Sequence, residues 1–289
     1  MTRIPLEEAP RIPINVAIAG VQKAGTSSLF DLLRKHPEVC AGPRKEWHFF
    51  DDEKRSWADP DYSDYWAPGR TDRQRIAIDG TPAYTFWPHA MERMHAYRPD
   101  MRLIVSLRDP IERAFSHWAM YYGKLPAFPS FSQLAQGPRR EGLLERIPEG
   151  WNHLRMRRWS MIPRGLYGAQ VARGLELFSR EQWLFLDFHR FVGEHRETLD
   201  RVTSFLGLDP YPKEPRLRVI QSTRQDLVAA APTAADVSRL VEVYADDLDL
   251  LTRLTGLDVS DWPTRRVRDG LLDPADLADR LGRKAGLLG

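Results

Sequence analysis

Val16-Ala17-Ile18-Ala19-Gly20-Val21-Gln22-Lys23-Ala24-Gly25-Thr26-Ser27-Ser28-Leu29-Phe30 is the stretch on which the fold turns. Its opening residues are small and apolar, the pattern of a strand buried on both faces. Gly20 and Gly25 then bracket a loop, and the chain from Thr26 onward reads as a helix. A strand that enters a Gly-containing loop and leaves it as a helix turns backbone N–H groups and the positive helix end towards one point. That layout is an anion site.

The two glycines have the spacing of the phosphate loop of nucleoside triphosphatases, G-x-x-x-x-G-K-[ST]. Thr26 stands where that loop has its lysine, and the lysine lies inside the loop, at Lys23. A phosphate is still cradled, but its cation is placed differently. The plain alternative is a strand-to-helix turn that binds nothing, so the loop has to be weighed with other segments.

Met101-Arg102-Leu103-Ile104-Val105-Ser106-Leu107 has the pattern of a second buried strand, and Arg108-Asp109-Pro110 ends it. Ile111 to Trp118 reads as a helix with Pro110 near its start. Arg108 at the strand's carboxyl end and Ser116 eight residues on can face one phosphate. The planar fork of arginine suits that role. Taken singly, Arg108 could equally pair with Asp109 or Glu112, and Ser116 could be a surface serine. A third segment, Pro43-Arg44-Lys45-Glu46-Trp47-His48-Phe49-Phe50-Asp51, concentrates charge between aromatics. Lys23 and Lys45 are two of only seven lysines, against 35 arginines.

Together the three segments resemble the sulfotransferases that use 3′-phosphoadenosine 5′-phosphosulfate (PAPS), over roughly residues 14 to 255. The resemblance implies that Lys23, Ala24, Gly25, Thr26, Ser27 and Ser28 hold the 5′-phosphosulfate, with Lys23 at the bridging and leaving oxygens. It implies that Arg108 and Ser116 hold the 3′-phosphate. The third segment is similar to the Lys-Glu-Pro-His-Phe-Phe signature of the heparan-type branch and its bacterial relatives, with Trp47 in place of proline. There the glutamate is the general base, which points to Glu46. His48 stays a second candidate, because the steroid and phenol branch uses histidine.

Two further segments depart from that family. Asp79-Gly80-Thr81-Pro82-Ala83-Tyr84 resembles a Glu-Lys-Ser-Pro-x-Tyr element but has Gly80 where heparan enzymes have lysine, which weakens any glycan contact from this position. Arg218 to Arg224 falls where the family places a nucleotide loop with a Lys-Gly-Arg core. The core is missing, and Arg224 is the remaining choice for a nucleotide contact.

Composition fits an enzyme of one large α/β domain. The chain has 289 residues and a formal net charge of +2, so no broad field selects nucleic acid. One cysteine, Cys40, excludes an internal disulfide and a cysteine zinc cluster, and fits a reducing compartment. No run approaches the ~20 apolar residues that span a bilayer, and the expected setting is cytoplasmic. Heavy use of Arg, Asp and Pro suggests a GC-rich bacterial genome, and the tryptophans Trp47, Trp66, Trp87, Trp151 and Trp159 suggest an aromatic or lipid-like acceptor such as a bacterial secondary metabolite, unless they simply form core.

Strands are expected near 15–20, 76–79, 102–107 and 183–187, and helices near 26–36, 88–97, 110–122, 167–179, 195–206 and 234–254. The alternation predicts a central parallel sheet flanked by helices, a P-loop-like sulfotransferase fold, with ligands at the carboxyl ends of strands. Residues 1–13 read as an extension, 14–256 as the domain, and 257–289 as a tail able to serve as docking helix, homodimer contact or partly ordered end. Within the domain, the proline-broken stretch 121–165 is expected to shape the acceptor pocket or to be a surface insertion.

The expected chemistry is in-line transfer of a sulfuryl group from PAPS to a hydroxyl of a small-molecule or glycan acceptor, with no metal required. Two rivals remain. One is an ATP-dependent kinase with magnesium on Asp79 or Asp109. The other is a non-catalytic nucleotide-binding module, for which a Lys45-Glu46-Trp47-His48 constellation has no use.

Overall fold

The computed structural model describes residues 4–5, 7–42, 44–122, 124–125, 128–138, 141–213, 215–217 and 230–287. Arg224, the weakest of the nucleotide expectations, lies outside them. Among the described residues seven strands occur: Arg11–Pro13 (β1), Val16–Gly20 (β2), Val39–Ala41 (β3), Trp66–Pro68 (β4), Ile76–Asp79 (β5), Arg102–Leu107 (β6) and Trp183–Asp187 (β7). The helices are Thr26–Leu33 (α1), Ala90–Tyr97 (α2), Pro110–Tyr122 (α3), Phe131–Ala135 (α4), His153–Trp159 (α5), Tyr167–Leu175 (α6), Phe188–Gly193 (α7), His195–Leu206 (α8), Ala234–Thr255 (α9), Pro263–Arg268 (α10) and Pro274–Lys284 (α11). The chain divides into two compact units, residues 1–107 with 173–220, and residues 108–172 with 221–289.

The first unit is built on a five-stranded sheet in the order β3-β5-β2-β6-β7, with every pairing parallel. The central strand, β2, is buried along its whole length. That is why its sequence is continuously apolar instead of alternating. Ile18, Ile78, Ile104 and Leu186 from the sheet pack with Leu29 and Phe30 of α1 and Leu199 of α8. Burying such a side chain contributes roughly 1.5–3 kcal/mol, so the sheet and its helices form one continuous core. A separate two-stranded ribbon pairs β1 with β4 antiparallel. The architecture is thus α/β with a parallel sheet flanked by helices, as expected. The four expected strands are present, while β1, β3 and β4, of three residues each, went unread.

The second unit is helical in its described residues. α9 begins at Thr233, whose side chain accepts from the Asp236 N–H while the Asp236 side chain returns to Thr233, and it ends at Gly256 with φ 67°. Val237, Leu240, Tyr244, Leu248 and Leu251 form its buried stripe. Asp247, also on α9, accepts from the N–H groups of Gly168 (2.8 Å) and Ala169 (2.9 Å), so a carboxylate of one helix caps the start of α6.

The stretch 121–165 is less broken than its prolines suggest. Ser130 and Gln133 form a capping box that opens α4, and Asn152 caps α5. The tail is also helical. α10 starts with Pro263, α11 starts with Pro274 behind the cap Asp273, and both pack on α9. Among the described residues, no helix is long and apolar enough to cross a membrane.

Candidate active site

The anion loop follows the carboxyl end of β2. The Val21 N–H donates to the Ser106 carbonyl at 2.8 Å, and the Ser106 hydroxyl donates to the Ala24 carbonyl at 2.7 Å, tying the loop to β6. Gly25 is the N-cap residue of α1, with φ 76°. A Cβ there would press on Phe188 at 3.0 Å and Phe191 at 3.2 Å, so the position needs glycine on both counts. No side chain caps α1 and no acidic residue occupies its first turn. The helix thus offers its first amides and its positive end to a ligand anion. Thr26 and Ser28 are buried in that first turn, Ser27 is half-buried, and Ala24 is fully buried. Lys23 itself is half-buried and left-handed, with φ 76°.

Glu46 and His48 sit on the loop that leaves β3. Two residues apart, they would share one face of an extended strand. The backbone is not extended: both residues are left-handed, at φ 58° and 57°. The side chains nevertheless meet. Lys45 Nζ lies 2.7 Å from Glu46 Oε1, and His48 Nε2 lies 3.8 Å from Glu46 Oε2. His48 Nδ1 donates to Asp51 Oδ2 at 2.8 Å, and Asp51 is fully buried. Nothing in the sequence separated Asp51 from its half-buried neighbour Asp52, and Asp51 was not foreseen. Of four non-glycine residues with positive φ among those described, three are Lys23, Glu46 and His48. Backbone strain of this sort persists where surrounding structure over-determines it, and functional loops are the commonest place.

The over-determination comes from Asp79 at the end of β5. Its buried carboxylate accepts from Tyr84 (2.6 Å), Tyr65 (2.8 Å) and Thr81 (2.9 Å). Two of those hydroxyls also receive the loop: the Phe49 N–H donates to Tyr84 Oη at 3.1 Å, and the His48 N–H donates to Thr81 Oγ1 at 3.2 Å. The Glu46 N–H donates to the Gly80 carbonyl at 3.2 Å. The loop is therefore hung on the carboxyl end of β5 through hydroxyls that converge on one carboxylate. Gly80, where heparan enzymes were expected to carry lysine, packs against Phe30; a Cβ would stand 2.7 Å from its ring. Trp47, in the place of proline, lies against Gly42 and meets the Tyr65 ring edge-on at 5.1 Å.

In the second unit Arg108 is 6 % exposed, and its Nε donates to Glu112 Oε2 at 3.2 Å. Ser116 lies one turn beyond Glu112 on the same face of α3 and is half-buried. The pairing of Arg108 with Glu112, one of the plain alternatives, is therefore present. It fixes the guanidinium. Asp109 is consumed structurally: Oδ1 accepts from the Glu112 N–H (2.9 Å) and Oδ2 from the Thr264 N–H (2.7 Å). Asp79 is consumed by its three hydroxyls. Each of the two carboxylates offered to magnesium by the kinase reading is thus committed to holding the fold.

His48 carries a specific electrostatic signature. Burial pushes its pKa down, but the Asp51 bond and the nearby Glu46 outweigh this and raise it to about 9. It is therefore a cation throughout the neutral range. The ordinary histidine value is about 6.5, so the stabilisation from the charged form is whole below that pH and is lost as pH rises through about 9. The melting-temperature gap between this protein and His48→Gln should be widest near about pH 6 and should close by about pH 10. Thermal unfolding followed across that range checks this; a gap that widens with pH would contradict the assigned charge.

Residues 13–234 match the model of the sulfotransferase domain. Heparan sulfate glucosamine 3-O-sulfotransferase 3A1 of Homo sapiens is 34 % identical over 206 residues, 70 % of this chain and 46 % of the relative. Heparan sulfate glucosamine 3-O-sulfotransferase 6 of Homo sapiens is 35 % identical over 211 residues, 71 % of this chain and 56 % of the relative. The chain thus spans about half the length of the curated relatives it matches. The crystal structure of a sulfotransferase from Alicyclobacillus acidocaldarius shares the fold, with a TM-score of 0.64 at 24 % identity over 86 % of this chain and 98 % of that one. With the domain match covering most of its length, this chain belongs to the sulfotransferase-domain family.

Proposed function

We propose that the protein moves the sulfuryl group of PAPS to a hydroxyl of a small-molecule or sugar acceptor, with Glu46 as general base. One observation carries this reading. Within a single unit, a lysine-bearing loop with an uncapped helix start leaves β2, and the Glu46 loop is fastened to the end of the neighbouring strand β5. Carboxyl ends of adjacent parallel strands are where α/β sheets bind and transform their ligands.

PAPS supplies the activated sulfuryl group. The residues fit its 5′ end: the Gly25 to Ser28 turn presents amides and hydroxyls to a phosphate, and Lys23 sets an ammonium against the oxygen that becomes the leaving group. Arg108 and Ser116 are assigned the 3′-phosphate. Glu46 takes the acceptor proton as the new oxygen–sulfur bond forms and the sulfur–phosphate oxygen bond breaks. His48, already protonated, cannot serve as that base; it orients Glu46 and is itself held by Asp51. Lys23 and the loop amides do the charge work for which phosphoryl-transfer enzymes use magnesium, so no metal is required.

The named relatives are heparan sulfate glucosamine 3-O-sulfotransferases, which supports a sugar hydroxyl as acceptor. Gly80, closed off by Phe30, argues for a smaller acceptor than a polymeric glycan. A cytoplasmic setting is part of the proposal and is supported by the single, buried Cys40. The test is mass-spectrometric detection of sulfated product from PAPS with a glucosamine oligosaccharide, a phenol and an aliphatic alcohol, each with and without excess EDTA. Transfer that persists in EDTA is the expected result. Turnover of ATP restored by magnesium would favour a kinase, and nucleotide binding without any transfer would favour a binding module.

A further inference from the structure

The helix α11 lies beyond the residues that the family pattern matches, which end at 234. It nevertheless reaches the proposed 3′-phosphate element of its own unit. Arg280 Nη2 lies 3.4 Å from Glu112 Oε1, while Arg108 Nε holds the other oxygen, Oε2, at 3.2 Å. Lys284, one turn after Arg280 on the same face, falls within electrostatic range of Arg108, Glu112 and Arg280. Arg108 and Arg280 therefore hold the two oxygens of one carboxylate with Lys284 near by, and Asp109, next to Arg108, is a second carboxylate within electrostatic range of Glu112. Arg280 is about half exposed (51 %) whereas Arg108 is buried, so the cluster has a rooted side and an open side.

We propose that α11 completes the 3′-phosphate subsite, with Arg280 and Lys284 adding to Arg108 and Ser116, and with Glu112 as the template that spaces the two guanidinium groups. This rests on the reading of Arg108 and Ser116 given above. The charge balance supports it: the three cations outnumber the carboxylates of Glu112 and Asp109, and a phosphate monoester brings close to two negative charges near neutrality. Fork-shaped guanidinium groups held at fixed spacing suit the oxygens of such a group. The pKa of Lys284 supports it as well. Burial lowers it first, then Arg108 and Arg280 lower it further, against Glu112, so a further anion at this place would relieve an existing repulsion. The inference also accounts for the missing Lys-Gly-Arg core near residue 221, since cations delivered by a C-terminal helix can stand in for those of a loop.

Calorimetry on the full chain tests this, with 3′-phosphoadenosine 5′-phosphate and AMP as ligands. The paired substitution Arg280→Ala with Lys284→Ala should weaken the bisphosphate by roughly tenfold or more and leave AMP almost unchanged. Arg283→Ala, the loss of a like charge that pairs with Asp279 on the same helix, should change neither. The swap Arg280→Lys with Lys284→Arg should keep most of the preference, which guards against a variant that merely unfolds the helix. If the unaltered protein prefers the bisphosphate and the paired alanine variant does so equally, α11 has no part in the subsite and the proposal falls alone. Equal weakening of both ligands would assign α11 a structural role and overturns it too. If the unaltered protein and Arg108→Ala both bind the two ligands alike, the 3′-phosphate reading itself fails and takes the proposal with it.

Discussion

Glu46→Gln is expected to lower kcat by about 10²–10⁴-fold, the usual contribution of a positioned general base, and to leave donor affinity nearly intact. The amide keeps the shape and one acceptor oxygen of the carboxylate but cannot take up a proton. Its neighbours are fixed independently: His48 by the buried Asp51, and the loop backbone by Thr81 and Tyr84. The loss should therefore appear in kcat and kcat/KM together, as it does when an interaction of the transition state alone is removed. His48→Ala should cost less, because an imidazolium is no base and acts by orienting Glu46. Steady-state rates for the two variants decide the matter. Near-normal turnover in Glu46→Gln with abolished turnover in His48→Ala would reverse the roles and move the site closer to the phenol and steroid branch.

Lys23→Ala should lower kcat by roughly 10²–10³-fold, the range seen when one preorganised donor to developing charge is removed. Alanine is the right replacement because it stays an L-residue at φ 76° and keeps the loop under the same backbone constraint; glycine would loosen the loop and confuse the readout. The ammonium group opposes charge that grows on the departing phosphate oxygen, so the defect should fall on kcat more than on the KM for PAPS. Initial rates against donor concentration separate the two. A raised KM with unchanged kcat would make Lys23 a binding residue only.

Much of this fold is written openly in the chain, because the sheet is parallel and covered on both faces. Strands such as Val16–Gly20, and the Leu103-Ile104-Val105 centre of β6, must be apolar on both sides, and that shows as an unbroken run. Edge pieces of three residues, such as Val39–Ala41, carry too little pattern to be seen. The helices of 121–165 and of the tail were announced by Ser130, Asn152, Pro263 and Asp273 at their starts, yet the density of prolines masked them. In the site, the loop and the Glu46–His48 pair were legible from residue types. Their left-handed backbone was not, since propensity alone argues against it. Nor was the Asp79 clamp, which depends on Tyr65, Thr81 and Tyr84 arriving from two separate segments.

The left-handed conformations of Lys23, Glu46 and His48 bear on how this protein can be improved. An L-residue held there carries about 1–2 kcal/mol of steric penalty that glycine escapes, against about 0.5–1 kcal/mol for the greater freedom glycine has when unfolded. On backbone terms the balance favours glycine at Lys23 and Glu46, whereas at His48 the loss of the ion pair with buried Asp51 outweighs it. A laboratory selection for heat resistance, blind to turnover, would therefore be drawn to replace the ammonium and the carboxylate one after the other. Each step would yield a sturdier and emptier protein. Thermostable variants of this chain are better sought at sites remote from those three, under a screen that scores product as well as survival.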